Sequence, residues 1–207
     1  MIDLRLRQRF ARIVTDLVTA HPRLWRVLRR PFVWTFDAIA ADWEETRVSP
    51  QHLAPLEAAL AAVPVDPATA LDLGTGTGAG ARAIARRFDA TAVTGVDASQ
   101  PMIDQARVRA SGDREHYDVA DASALPYPDG SFELVTQLNM IPFFDEIARV
   151  TAPRGYVAVA FSRGAQTPIW VPLDRVRTEL ERRGFSHVAN FSAGAGVALL
   201  AQRADTA

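Results

Sequence analysis

Apolar positions recur along this chain in two rhythms, a helical one at the start and an alternation of short runs and stripes afterwards. Leu6, Phe10, Ile13, Val14, Leu17 and Val18 stand at helical spacing and predict a helix over residues 2–20. His21-Pro22 opens a second short helix carrying Leu24, Trp25 and Leu28, which should stop before Pro31, because the residue preceding a proline is pushed out of the α region. Phe36, Ile39, Ala40 and Trp43 predict a third helical stripe, and Leu53, Leu56, Leu60 and Val63 a fourth. From residue 70 the rhythm changes. Buried-type strands are expected at 70–73, 91–96, 115–119, 131–138 and 156–161, separated by helices at 81–88, after Ser99 and around Ile147–Val150. Pro153-Arg154-Gly155 reads as a type II turn. A helix with Leu173, Val176 and Leu180 on one face ends at Gly184, and strands over 185–191 and 196–201 close the chain as a hairpin.

Strands that alternate with helices imply a parallel sheet covered on both faces. The fold class is therefore α/β: a Rossmann-like, doubly wound, mostly parallel seven-stranded sheet with an antiparallel closing hairpin and an N-terminal helical appendage. Pro64-Val65-Asp66-Pro67 marks the boundary, giving an appendage or lid over residues 1–63 and a main domain over 68–207.

Composition removes whole classes of chemistry. The 207 residues include no cysteine, so cysteine nucleophiles, Cys-ligated zinc, iron–sulfur clusters and disulfides are excluded. All 23 basic residues are arginine, so there is no Schiff-base lysine and no P-loop lysine. Net charge is −1, but the first 30 residues carry eight arginines against two aspartates, a local charge of +6. That segment is either a solvated helix face or a peripheral contact with a membrane or another polyanion. No run is long enough to span a bilayer, and no uninterrupted apolar stretch follows the basic start, so a cytoplasmic protein without a signal peptide is expected.

The chemistry concentrates at Asp72-Leu73-Gly74-Thr75-Gly76-Thr77-Gly78-Ala79-Gly80, a strand end, a glycine turn and the start of a helix. This arrangement aims free backbone N–H groups at a bound anion. Gly74-x-Gly76-x-x-Ala79 satisfies the dinucleotide pattern, and Asp97 lies where a ribose-binding acid belongs, disfavouring a 2′-phosphate. On these residues alone NAD and S-adenosylmethionine (SAM) are nearly tied. Asp72 tips the balance, since a negative charge two residues before the first glycine suits an ammonium group better than a pyrophosphate.

Asp121-Ala122-Ser123 after the third strand, the Leu125–Glu133 turn and the Phe144–Tyr156 segment follow the glycine motif in order. Together they resemble the class I SAM-dependent methyltransferases, especially the small-molecule branch of ubiquinone-biosynthesis-like enzymes, over about residues 36–161. Phe36-Asp37-Ala38-Ile39-Ala40 is similar to the family's pre-domain Tyr-Asp helix, which folds over the cofactor, with Phe in place of Tyr. The resemblance implies that Gly74, Gly76 and Gly78 line the methionine moiety and that N–H groups near Thr75 and Gly76 take its carboxylate. By the same resemblance Asp72 holds the amino group, Asp97 with Ala98 the ribose, and Met102, Asp121 and Ala122 the adenine. Leu138 and Asn139 border the transferable methyl, and Phe36, Trp43, Asn139 and Trp170 are the candidate acceptor contacts. A plainer reading stands beside each role: Asp72 and Asp121 as turn caps, Met102 as core, Asn139 as a turn residue. No catalytic residue is identified. The four histidines, His21, His52, His116 and His187, are scattered, and no metal set is evident.

The expected reaction is in-line methyl transfer from SAM to a small-molecule acceptor. The absence of an Asn-Pro-Pro-Tyr motif argues against DNA bases, and nucleic acid is not an expected partner. An NAD-dependent oxidoreductase and a non-catalytic SAM-binding module are the alternatives. Neither the acceptor nor the oligomeric state is legible.

Overall fold

The computed structural model describes residues 4–205, apart from the side chains of Leu4, Arg5 and Arg7. Asp3 and the side chains of Arg5 and Arg7, which count toward the basic N-terminal segment, thus lie outside the described residues. The chain begins with α1 (Leu4–Ala20), passes through a 3-10 turn at Pro22–Leu24, and continues through α2 (Trp25–Asp37), α3 (Trp43–Arg47) and α4 (Pro50–Ala61). Strands and helices then alternate: β1 (Thr69–Leu73), α5 (Ala79–Arg87), β2 (Ala92–Asp97), α6 (Gln100–Val108), β3 (Glu115–Val119), β4 (Phe132–Leu138), α7 (Phe144–Val150) and β5 (Thr151–Phe161). The last elements are α8 (Leu173–Glu181), β6 (Phe185–Ala193) and β7 (Gly196–Arg203).

The seven strands form one sheet in the order β3-β2-β1-β4-β5-β7-β6, and only β7 runs against the others. Side chains alternate across it. Leu71, Leu73, Val135, Val157 and Val159 point to one face, where α7, α8 and the inner sides of α1 and α2 bury them. Ala70, Leu134, Ala158 and Ala160 point to the other, under α4, α5 and α6. The appendage expected over residues 1–63 therefore includes one helix, α4, whose Leu56, Ala59 and Leu60 belong to the main core. The chain reverses its direction of travel between β1 and β4, and the carboxyl ends of β1, β2 and β4 open a crevice there, as at any topological switch point.

Three local expectations need correction. The second helix does not stop before Pro31 but carries it internally and runs on to Asp37. An internal proline costs about 3 kcal/mol, yet the carbonyl it frees is that of Val27, on the solvent side of the helix, where water can bond it. Continuing the helix buries Phe32 beside Trp25, with ring centroids 5.5 Å apart, and each such ring contributes about 1.5–3 kcal/mol. The stripe over 36–43 is not one helix. Turns over 38–42 separate α2 from α3, while Phe36 and Trp43 still meet at 5.9 Å. Finally, β5 begins at Thr151 and takes the expected type II turn into itself as an irregularity, with Arg154 at φ +62° and a register shift against β4.

Candidate cofactor and acceptor site

A cavity of about 420 Å³ lies over the ends of β1, β2 and β4. Its floor is the glycine turn, where Gly74, Gly76 and Gly78 all take positive φ. Beneath the turn sits Asp72, only 2 % exposed. Its oxygens accept from the hydroxyls of Thr75 and Thr136, both at 2.7 Å. Burial pushes its carboxyl up to about 6, against the pull of those bonds and one from the Ala81 amide. Gly80 lets α5 start this close: a Cβ there would stand 2.6 Å from Asp72 Oδ2. Thus Asp72 both borders the cavity and braces the turn.

Asp97, at the end of β2, accepts from the Gly76 N–H at 3.0 Å and the Ser99 N–H at 2.9 Å. Burial raises its pKa, with those two amides opposing. The Thr75 N–H donates to Val96 O at 2.9 Å. The two amides expected to take a carboxylate are therefore already engaged within the chain, one on the Val96 carbonyl and one on Asp97.

The structure brings Asp72, Gly74, Thr75, Gly76, Asp97, Ala98, Met102, Ala122 and Leu138 to one cavity, together with Phe36, Trp43 and Asn139. It does not bring Gly78, Asp121 or Trp170 there. Gly78 caps α5 with Tyr117 behind it. Trp170 packs on Phe161, centroids 4.9 Å apart, while its neighbours Pro168 and Ile169 face the cavity. Asp121 is turned toward α2, where its oxygens accept from Trp25 Nε1 at 2.8 Å, Arg29 at 2.6 Å and Ser123. Desolvation pushes Asp121 up, but the bonds from Ser123, Trp25 and Arg29 outweigh it and hold it below the usual carboxylate range.

That contact is one of three by which residues 25–47 hold the strand ends. The Ser99 hydroxyl donates to Asp37 at 2.5 Å, at the start of α6. Glu44 of α3 accepts from the Thr77 hydroxyl and, at 2.5 Å, from Arg82. Trp43 lies over the turn, its Nε1 being the nearest atom to a Cβ built on Gly76. Each loop after β1, β2 and β3 is gripped once.

The upper wall comes from Phe32, Phe36, Ile39 and Trp43 and from Met140 and Ile141 after β4. Asn139 turns that loop at φ +56°, exchanging bonds of 2.8 Å with the Ser162 hydroxyl and amide. Met140 lies so close to the turn that a Cβ on Gly74 would stand 2.8 Å from its Sδ. Sequence reasoning missed Glu44 and set His52 aside among the scattered histidines. His52 reaches the cavity from the first turn of α4, and burial lowers its pKa more than nearby Glu44 raises it. Only the Ser49 cap before it hinted at where that helix starts. Among the described residues no cluster of three or more histidines and acids is placed to hold a metal, and no helix is long and apolar enough to cross a membrane.

Residues 70–155 match the family described as "Methyltransferase domain". The chain is 39% identical over 135 residues to a malonyl-[acyl-carrier protein] O-methyltransferase of Halorhodospira halophila, covering 61% of this chain and 46% of that one. It is 34% identical over 82 residues to a ubiquinone/menaquinone biosynthesis C-methyltransferase of Desulfotalea psychrophila, covering 40% and 33%. The chain thus spans less than half the length of these two relatives. Among solved structures, the fold resembles Burkholderia thailandensis 1,6-didemethyltoxoflavin-N1-methyltransferase with bound 1,6-didemethyltoxoflavin and S-adenosylhomocysteine. That likeness has a TM-score of 0.68 at 16% identity, covering 84% of this chain and 88% of that one.

Proposed function

We propose that this chain is a class I SAM-dependent methyltransferase, a reading supported by the match of residues 70–155 to a methyltransferase domain, and that it methylates an apolar, ring-bearing small molecule. One observation carries the reading: a single cavity has strand-end acids and a glycine turn below and aromatic rings above. The strand-end acids fit the cofactor's ribose and amino group. Asp97 spends one bond on each oxygen, and a carboxylate oxygen has room for a second, which leaves both able to accept from a ribose diol. Asp72 supplies negative charge for the amino group, and Met102, Ala98 and Ala122 offer apolar contacts for the adenine. Asp121 in this reading positions α2 rather than touching the base.

Bound SAM supplies an electrophilic sulfonium methyl with a good leaving group, so the protein needs no strong acid. What the chain contributes is alignment and exclusion of water. Residues 25–47 form the lid, held at three loop ends, and Trp43 shields the turn. Phe36, Ile39 and Trp43 with Met140 and Ile141 hold the acceptor ring. His52, kept neutral by burial, takes the proton of an acceptor hydroxyl. Of the two relatives' named activities, the quinone-pathway one suits these aromatic walls better than a malonyl thioester. A cytoplasmic setting belongs to the same reading.

Calorimetry with SAM, S-adenosylhomocysteine and NAD tests the cofactor assignment, and methyl transfer into fractionated metabolite extracts tests the acceptor. Binding of NAD with neither sulfur compound would refute the proposal.

A further inference from the structure

Ten large apolar side chains are exposed among the described residues, and six of them lie between residues 6 and 34: Leu6, Ile13, Leu17, Leu24, Val27 and Trp34. They are not scattered. At 100° per residue Leu6, Ile13 and Leu17 fall within an arc of roughly 40° on α1, well away from buried Val14 and Val18. Val27 and Trp34 stand two turns apart on α2, 75 % and 58 % exposed, on the side away from buried Trp25 and Phe32. Both helices bury their inner sides in the same cluster, so their outer sides look away from the core in the same general direction. Arg9, Arg23, Arg26 and Arg30 are exposed among these apolar groups. None of the four is in an ion pair among the described residues, and Asp16 is the acid on this stretch.

We propose that the outer face of α1 and α2 is an interfacial surface that lies on an anionic lipid bilayer. The combination decides between occupants. A nucleic acid would use the arginines but gain nothing from six exposed aliphatic and indole side chains. A bilayer interface uses both: apolar groups enter the acyl boundary, the Trp34 ring sits at headgroup level, and arginines reach anionic headgroups. Charge distribution favours it further. With +6 in the first 30 residues and −1 overall, the molecule carries a dipole that turns this end toward a negative surface. The inner sides of the same helices line the cavity through Ala11, Trp25 and Phe32, so a molecule dissolved in the bilayer would meet the lid first. That last link rests on the function proposed above; the surface itself does not.

The test is flotation of the chain with vesicles of phosphatidylcholine alone and of an equimolar mixture with phosphatidylglycerol. Binding is expected to the mixture only and to fall with salt. A triple variant, R23Q/R26Q/R30Q, should bind on the order of 100-fold more weakly, at roughly fivefold per arginine. V27S/W34S keeps the charge and should bind at least about tenfold more weakly, since each lost apolar anchor weakens insertion; it should also lose the tryptophan blue shift on adding vesicles. Failure to float with the mixed vesicles would overturn the proposal. So would a dimer in solution that W34S dissociates, or DNA retention that R23Q/R26Q/R30Q abolishes and V27S/W34S leaves intact, should either replace vesicle binding.

Discussion

Glu44→Ala tests whether α3 is fastened to the glycine turn through one carboxylate. In the parent protein Glu44 accepts from Arg82 at 2.5 Å and from the Thr77 hydroxyl, and both members of the ion pair are mostly buried. Bonds to a charged partner contribute about 1.5–3 kcal/mol each, but opening α3 returns all three groups to water, and Arg82 keeps its 2.8 Å bond to Thr77 O. A net loss of about 2 kcal/mol follows, which is about a 30-fold rise in the open-to-closed ratio. Native-state hydrogen exchange reads this directly, because the Val48 amide donates to Glu44 O and the Thr46 amide to Asp42 O within that segment. Both should exchange about 30-fold faster in the variant, while locally opening amides of α8 stay as they are. Glu44→Gln, which keeps an acceptor but not the charge, should fall between. Unchanged protection at Thr46 and Val48 in Glu44→Ala would show that packing of Trp43, and not the carboxylate, seats α3.

Three further outcomes are expected. Asp72, raised to about 6 on folding from roughly 3.9 in the unfolded chain, takes up a proton as the protein folds between those values. Its contribution to stability is therefore greatest below about pH 4 and is lost as pH rises through about 6, by roughly 3 kcal/mol; Asp72→Asn should flatten that part of a urea-melt pH series, and an unaltered slope would contradict the burial argument. Gly80→Ala places a methyl against a carboxylate pinned by two threonines, so denaturant melts should show a loss of about 2–3 kcal/mol; a loss under about 0.5 kcal/mol would mean the turn can yield. His52→Gln should lower methyl transfer to a hydroxyl acceptor by about 10²-fold or more and remove the acidic limb of its pH profile, with SAM affinity unchanged; equal loss of SAM affinity would reassign His52 to the cofactor.

The sheet was legible because its strands are short apolar runs bounded by glycine, proline and aspartate, and most predicted strand starts fall within two residues of those observed. The positive-φ glycine turn and the place of Asp97 at a strand end were legible for the same reason: local chemistry fixes them. What the sequence hid was set by distant partners. Pro31 stays in α2 because continuing the helix buries Phe32 beside Trp25, whose indole N–H finds its hydrogen-bond acceptor at Asp121, 96 residues away. Asp121 itself was assigned to the adenine from its position after β3, yet position along a strand does not reveal that a helix from elsewhere has claimed its oxygens. His52 carries no local motif; the Ser49 cap and the packing of α4 on the sheet aim it into the cavity.

The contact between Met140 and Gly74 couples the two halves of the site. Residue 140 begins the loop that walls the upper cavity, yet its sulfur rests on the first glycine of the turn below. Retailoring that loop to admit a different acceptor would consequently disturb the grip on the cofactor's methionine end too, so mutational libraries aimed at new specificities should vary 140 only alongside compensating positions. Natural drift faces the same restriction: the pliant thioether tolerates small adjustments, whereas a branched replacement would have to be matched by movement of the turn itself.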